Sequence, residues 1–191
     1  MTLFSLPILK FWLKYYFLIN RSIFNYGLLR FLLPSIVVMC TGNICRSPMA
    51  EAIFKKRFSE LGREDIVVSS MGIYGLDSHA AADYAVKVCA EHGIDISGHK
   101  SSPLAPGILK SCDMIFTMEL DQKEFLLTFF PQVADKVFLL AAWPENEKRK
   151  NDIKDPIGAS IRVYRKVFDT IQFHIERIMP SLLTCLPRNM D

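Results

Sequence analysis

The chain has 191 residues, half of them hydrophobic, and a formal net charge of +3. It is long enough for one sizeable core, and no Gly/Ser-rich linker or internal repeat divides it, which excludes a repeat array or a string of modules. Five cysteines without paired zinc-type spacing predict reduced thiols in a cytoplasmic setting, and 19 basic against 20 acidic residues beyond position 34 give nucleic-acid binding no support.

Residues 1–34 hold four Lys/Arg and no acid among many large apolar side chains. Lys10, Lys14, Arg21 and Asn25 fall in one narrow stripe at helical spacing, so an extra N-terminal helix here is apolar on most sides and basic on one. That pattern suits peripheral contact with an anionic membrane surface. A spanning helix is disfavoured because basic residues interrupt every stretch of about 18 apolar positions. A secretory signal fits poorly, since no small-residue cleavage site follows.

The next segment carries the chemistry. Ile36-Val37-Val38-Met39 reads as a short buried strand, followed by Cys40-Thr41-Gly42-Asn43-Ile44-Cys45-Arg46-Ser47-Pro48. A strand that breaks at a Gly-containing turn and restarts as a helix leaves backbone N–H groups converging on one point, a cradle for an oxyanion. Cys40 at its mouth supplies a thiolate nucleophile, and Arg46 supplies a planar fork for two anion oxygens. Ser47 is placed to donate to the thiolate, Gly42 to admit conformations closed to other residues, and Asn43 to tolerate the left-handed region while pinning the loop from within. The arrangement suits in-line attack on phosphorus.

Beyond the loop, a helix is predicted over 48–61, with Ala50, Phe54, Phe58 and Leu61 on one face. A strand at 66–68 follows, then a helix marked by Ala81, Ala85, Val88 and His92 and ended by Gly93. A third strand is predicted at 113–117, a helix opened by a capping box over 121–124, and a fourth strand at 136–139. The last helix, with Ile161, Tyr164, Phe168, Ile171, Ile175 and Ile178 facing inward, runs to Pro180. Alternating strands and helices imply an α/β fold: one domain, a central four-stranded parallel sheet, helices on both faces, and the phosphate loop after the first strand. The divisions are an extension at 1–34, the domain at 35–180 and a tail at 181–191.

Thiol attack on a phosphomonoester needs an acid for the leaving oxygen, which then activates water as a base. Asp155 is the candidate, because Pro156 restricts it to an extended conformation that can project the carboxylate over the cradle.

The loop resembles the V-C-x-G-N-x-C-R-S-P hallmark of the low-molecular-weight protein tyrosine phosphatases, with Met39 in place of the usual Val. Ser69-Ser70-Met71-Gly72, the run from Glu91 to His99, Asp113 to Glu119 and Asp155-Pro156 follow the family's order. The resemblance implies a phosphotyrosine phosphatase acting on phosphorylated proteins without metal or cofactor. Asp155 is then the acid, Ser70 and His99 support Asn43 and Ser47, and Cys45 traps an oxidised Cys40 as a disulfide. It also implies a setting opposite a membrane-linked tyrosine kinase of polysaccharide export.

The family's usual aromatic after Asp-Pro is Ile157 here, leaving Tyr74 or Leu76 to supply another wall for the substrate ring. Ile44 matches the tyrosine phosphatases, where the similar protein-arginine phosphatases typically have Thr; yet Asp155-Pro156-Ile157-Gly158 with Tyr164-Arg165 resembles that arginine branch. Two further alternatives are a phospho-binding module and a thioredoxin-coupled arsenate reductase. The latter needs a cysteine where Glu119 stands.

Overall fold

The computed structural model describes residues 33–75, 77–145 and 147–186, without the side chain at position 149. The expected N-terminal helix with its basic stripe, and the candidate wall residue Leu76, lie outside the described residues. Strand β1 (Ser35–Cys40) is buried along its whole length. It pairs in parallel with β2 (Val67–Gly72) on one side and β3 (Met114–Thr117) on the other, and β3 pairs in parallel with β4 (Val137–Leu139). The sheet order is therefore β2-β1-β3-β4, with the strand that feeds the cysteine loop in the interior.

Alternation along β1 divides two apolar layers, as a strand buried on both faces requires. Ile36 and Val38 join the core beneath helices α1 (Arg46–Glu60) and α5 (Ile161–Cys185), together with Phe54, Phe116 and Phe168. Val37 and Met39 turn the other way, toward Ile115, Leu109 of α3 (Pro106–Ser111) and Leu126 of α4 (Leu120–Phe129). Among the described residues the remaining α-helix is α2 (Asp83–Glu91), whose chain leaves at Gly93 with φ 68°.

Several expected boundaries move for physical reasons. Helix α1 begins at Arg46, two residues early, because Pro48 still lies in the first turn, where no N–H is needed by the helix. Strand β2 extends through Ser69, Ser70 and Met71 to Gly72; its full register with β1 supplies the bonds that its polar residues hid from the hydrophobic pattern. The capping box sits at Glu119 and Gln122 rather than at 121–124, since β3 ends at Thr117 and only Met118 separates it from the cap. Six residues with Leu109 alone buried are too few to show a period, and α3 was not anticipated.

Helix α5 runs through Pro180 to Cys185, so residues 181–185 are helical and not tail. Leu182 and Leu186 are buried beyond the proline, and the Arg63 guanidinium donates to the Leu186 carbonyl at 2.7 Å. That burial outweighs the hydrogen bond the ring removes. Among the described residues no helix is long and apolar enough to cross a membrane.

Candidate active site

The loop between β1 and α1 closes around Cys40. The Ser47 hydroxyl lies 3.0 Å from its Sγ, and the Asn43 amide N–H donates to the same sulfur at 3.3 Å. Asn43 Nδ2 in turn donates to Ser47 Oγ at 2.9 Å, which leaves the serine proton for the sulfur. Two donors thus converge on one atom, an arrangement that stabilises negative charge there. Asn43 adopts φ 55°, as its position in the loop predicts, and is fully buried. Gly42 does not occupy the left-handed region, and a Cβ there meets nothing nearer than Ile44 Cγ1 at 3.6 Å; the unusual backbone expected of the glycine belongs to Asn43.

Three residues from two segments hold Asn43. Its Nδ2 also donates to Ser70 Oγ at 2.8 Å, its carbonyl accepts from His99 Nε2 at 2.8 Å, and its Oδ1 accepts the Ser102 amide at 2.8 Å. Ser70 reaches it because Val38 and Ser70 are in register on neighbouring strands. The other side of the loop is fixed through backbone atoms: the Ala82 amide donates to the Ile44 carbonyl at 2.8 Å and the Tyr74 amide to the Thr41 carbonyl at 2.9 Å.

Arg46 is wholly buried, and its charge is met from loops distant in sequence. Nη1 donates to Glu119 Oε2 at 2.7 Å and to the Ile153 carbonyl at 2.9 Å, while Nη2 bonds Asp155 Oδ2 and lies 3.5 Å from Thr41 Oγ1. Burial alone lowers the guanidinium's pKa; the charge of Cys40, the Glu119 hydrogen bond and the charges of Asp155 and Glu119 outweigh it and raise the value above ordinary. Asp155 is turned by its own loop, where Oδ1 accepts the Ile157 amide at 3.1 Å.

Glu119 and Gln122 are the site residues that motif reading missed. Gln122 Nε2 donates to Glu119 Oε2 at 2.9 Å and to Thr41 Oγ1 at 3.2 Å, and its Oε1 accepts the Met118 and Glu119 amides. One capping box thus starts α4 and orients the carboxylate that holds Arg46. The acid–x–x–Gln spacing at the end of β3 was the available signal.

Of the candidate wall residues, Tyr74 is 71% exposed and Ile157 58% exposed, each one step from a loop that carries site residues. Cys45 is buried, with Sγ 3.3 Å from the Tyr164 hydroxyl. Desolvation pushes its thiol up to about 11 despite that bond, so it stays protonated at neutral pH.

Residues 35–189 match the family model described as low molecular weight phosphotyrosine protein phosphatase. A protein-arginine-phosphatase of Bacillus subtilis is 33% identical over 147 residues, 77% of this chain and 95% of its own length. EpsP of Ralstonia nicotianae, a probable low molecular weight protein-tyrosine-phosphatase, is 32% identical over 151 residues, 79% of this chain and 97% of its own. The crystal structure of the low molecular weight protein tyrosine phosphatase from T. tengcongensis superposes with a TM-score of 0.72 at 34% identity, covering 78% of this chain and 99% of that one. Sheet, loop and closing helix all fall inside the matched span, and the chain belongs to the low molecular weight phosphotyrosine protein phosphatase family.

Proposed function

We propose that the chain hydrolyses phosphotyrosine in proteins through a phosphocysteine on Cys40. The loop from Thr41 to Ser47 holds the phosphoryl oxygens, Arg46 grips two of them, and Sγ attacks phosphorus as the bond to the tyrosyl oxygen breaks. Asp155 gives that oxygen its proton, then takes one from the water that cleaves the S–P bond and releases phosphate. Phosphoryl oxygens match the guanidinium fork bidentately, so a bound substrate frees the Asp155 carboxyl for the leaving group. Ser70 and His99 act through Asn43.

The observation that carries this reading is the convergence of Ser47 Oγ and the Asn43 N–H on Cys40 Sγ, beside a buried Arg46 that an acid already faces. A phospho-binding module needs neither nucleophile nor acid. Arg46 Nε supports it too, as a buried donor without a partner among the described residues, available to an oxyanion. Cys40→Ser should lower turnover by more than about a thousandfold while phosphate still binds. A smaller loss would defeat the mechanism.

A second reading, phosphoarginine, is favoured by Ile157 after Asp155-Pro156 and by the Bacillus relative. Tyr74, with its exposed ring next to the loop, favours the aromatic substrate. Comparing kcat/KM on matched phosphotyrosine and phosphoarginine peptides decides between them, and the tyrosine peptide should win.

For residues 1–34 the proposal is peripheral contact with the cytoplasmic face of a membrane, where an opposing tyrosine kinase of polysaccharide export would sit. Each basic residue near an anionic surface contributes about 1 kcal/mol. The full chain should therefore co-sediment with anionic vesicles more than neutral ones, and replacing Lys10, Lys14 and Arg21 by Gln should close that gap. Cys45 keeps the redox role the family resemblance implies, testable as a Cys40–Cys45 disulfide after mild peroxide.

A further inference from the structure

An aromatic strip begins at the phosphate loop and runs along α4. Tyr74 is bonded to the loop through its amide, and its ring stands edge-on to Phe125, with centroids 6.0 Å apart at 64°. Phe125 meets Phe129 at 4.8 Å. Gln122, Phe125 and Phe129 share one helix face at i, i+3 and i+7, and Gln122 is the residue that touches Thr41. The face that contacts the loop in its first turn therefore carries two phenyl rings in its later turns.

Folding accounts for the middle of this strip but not for its two ends. Leu126 is the fully buried residue of α4, whereas Tyr74 and Phe129 are 71% and 64% exposed. Phe125 is partly buried and packs against Phe130 at 6.5 Å, which fixes the middle of the strip while leaving both ends in water. Rigid exposed rings continuous with a site are what a recognition surface requires, because few torsions are lost on docking. Seven helical residues advance about 10 Å. An extended chain covers that in about three residues.

We propose that Phe125 and Phe129, continuing outward from the wall ring of Tyr74, dock apolar side chains of the substrate within about three residues of the phosphorylated one. Continuity with the loop selects this occupant: a segment whose phosphoryl group is held at Thr41–Ser47 must leave the cradle past its rim, and Tyr74 is bonded to that rim. The proposal rests on the phosphotyrosine-phosphatase reading and adds sequence preference to it.

The test uses the full chain and three substrates: phosphotyrosine itself, a phosphotyrosine peptide flanked on both sides by Leu and Phe, and the same peptide flanked by Gly and Ser. The apolar peptide should show a kcat/KM advantage of about tenfold, expressed mainly in KM. Phe129→Ser, at an exposed position that leaves the core intact, should reduce the advantage to threefold or less, and Phe125→Ser should do the same. Equal values for the two peptides, or an advantage undiminished in Phe129→Ser, would overturn the strip and leave the phosphatase reading standing. No turnover of phosphotyrosine in any form would overturn both.

Discussion

Arg46 is a charge taken wholly out of water, which is tolerable only while its partners stay in place. Asp155 is on a mobile duty in the proposed reaction, so Glu119 is the permanent counter-charge. Both Arg46 Nη1 and Gln122 Nε2 use the same oxygen, Glu119 Oε2. Glu119→Ala leaves Nη1 with the Ile153 carbonyl alone and should lower turnover tenfold or more, since displacement of a catalytic group by about 1 Å can cost a hundredfold. Glu119→Gln can offer an amide oxygen at the same place and should recover much of the folding stability. If Ala and Gln variants behaved alike in both turnover and urea unfolding, Glu119 would not be positioning the guanidinium.

At the level of elements, the exit of β2 is what presses the loop into shape. A Cβ on Gly72 would come within 2.8 Å of Gly75 Cα and N and 2.9 Å of the Thr41 carbonyl oxygen, all backbone atoms. In the same segment the Ile73 amide donates to the Cys40 carbonyl at 3.0 Å and the Gly72 amide donates to the Ser102 carbonyl at 2.9 Å. Glycine is required here for close approach, not for a special φ. Gly72→Ala should cost about 1–3 kcal/mol in urea unfolding and lower turnover with it, because one of the backbone atoms pushed aside belongs to Thr41. Gly107→Ala in α3 meets nothing within 4 Å and should be neutral or slightly stabilising by the same measurement.

Across the whole molecule, the two apolar layers also hold thiols. Cys89 is fully buried, and desolvation pushes it from its ordinary 9.0 to about 12; Cys45 shifts the same way. A raised thiol keeps its proton in the folded state at a pH where the unfolded chain has lost it. Its contribution is complete below pH 9 and declines as pH rises toward 12. The difference in unfolding free energy between wild type and Cys89→Ala should therefore shrink from pH 8 to pH 11. A difference constant over that range would mean the thiol is not desolvated as described. In the folded protein at pH 8, Cys89 should resist alkylation.

The part of this protein that neighbouring residues specify was readable before any coordinates. Cys40 to Ser47 are consecutive, and an apolar run followed by Gly, Asn, Arg, Ser and Pro dictates strand, turn and helix start through local sterics and hydrogen bonding. The inward face of α5 follows from period alone, and the two-sided burial of β1 from its unbroken apolar run. Asp155 was marked by the proline after it and strengthened by family resemblance, which also added Ser70 and His99. What remained hidden depends on residues brought together by parallel register and packing. Arg46 meets Glu119 across 73 positions, and Asn43 receives the Ser102 amide across 59. Gly72 matters because three backbones touch there, and α5 passes its proline because Leu182 and Leu186 find a core to enter. Spacing along a chain encodes which face a side chain takes on its own element. Which element that face then meets is set only when the sheet and its layers close.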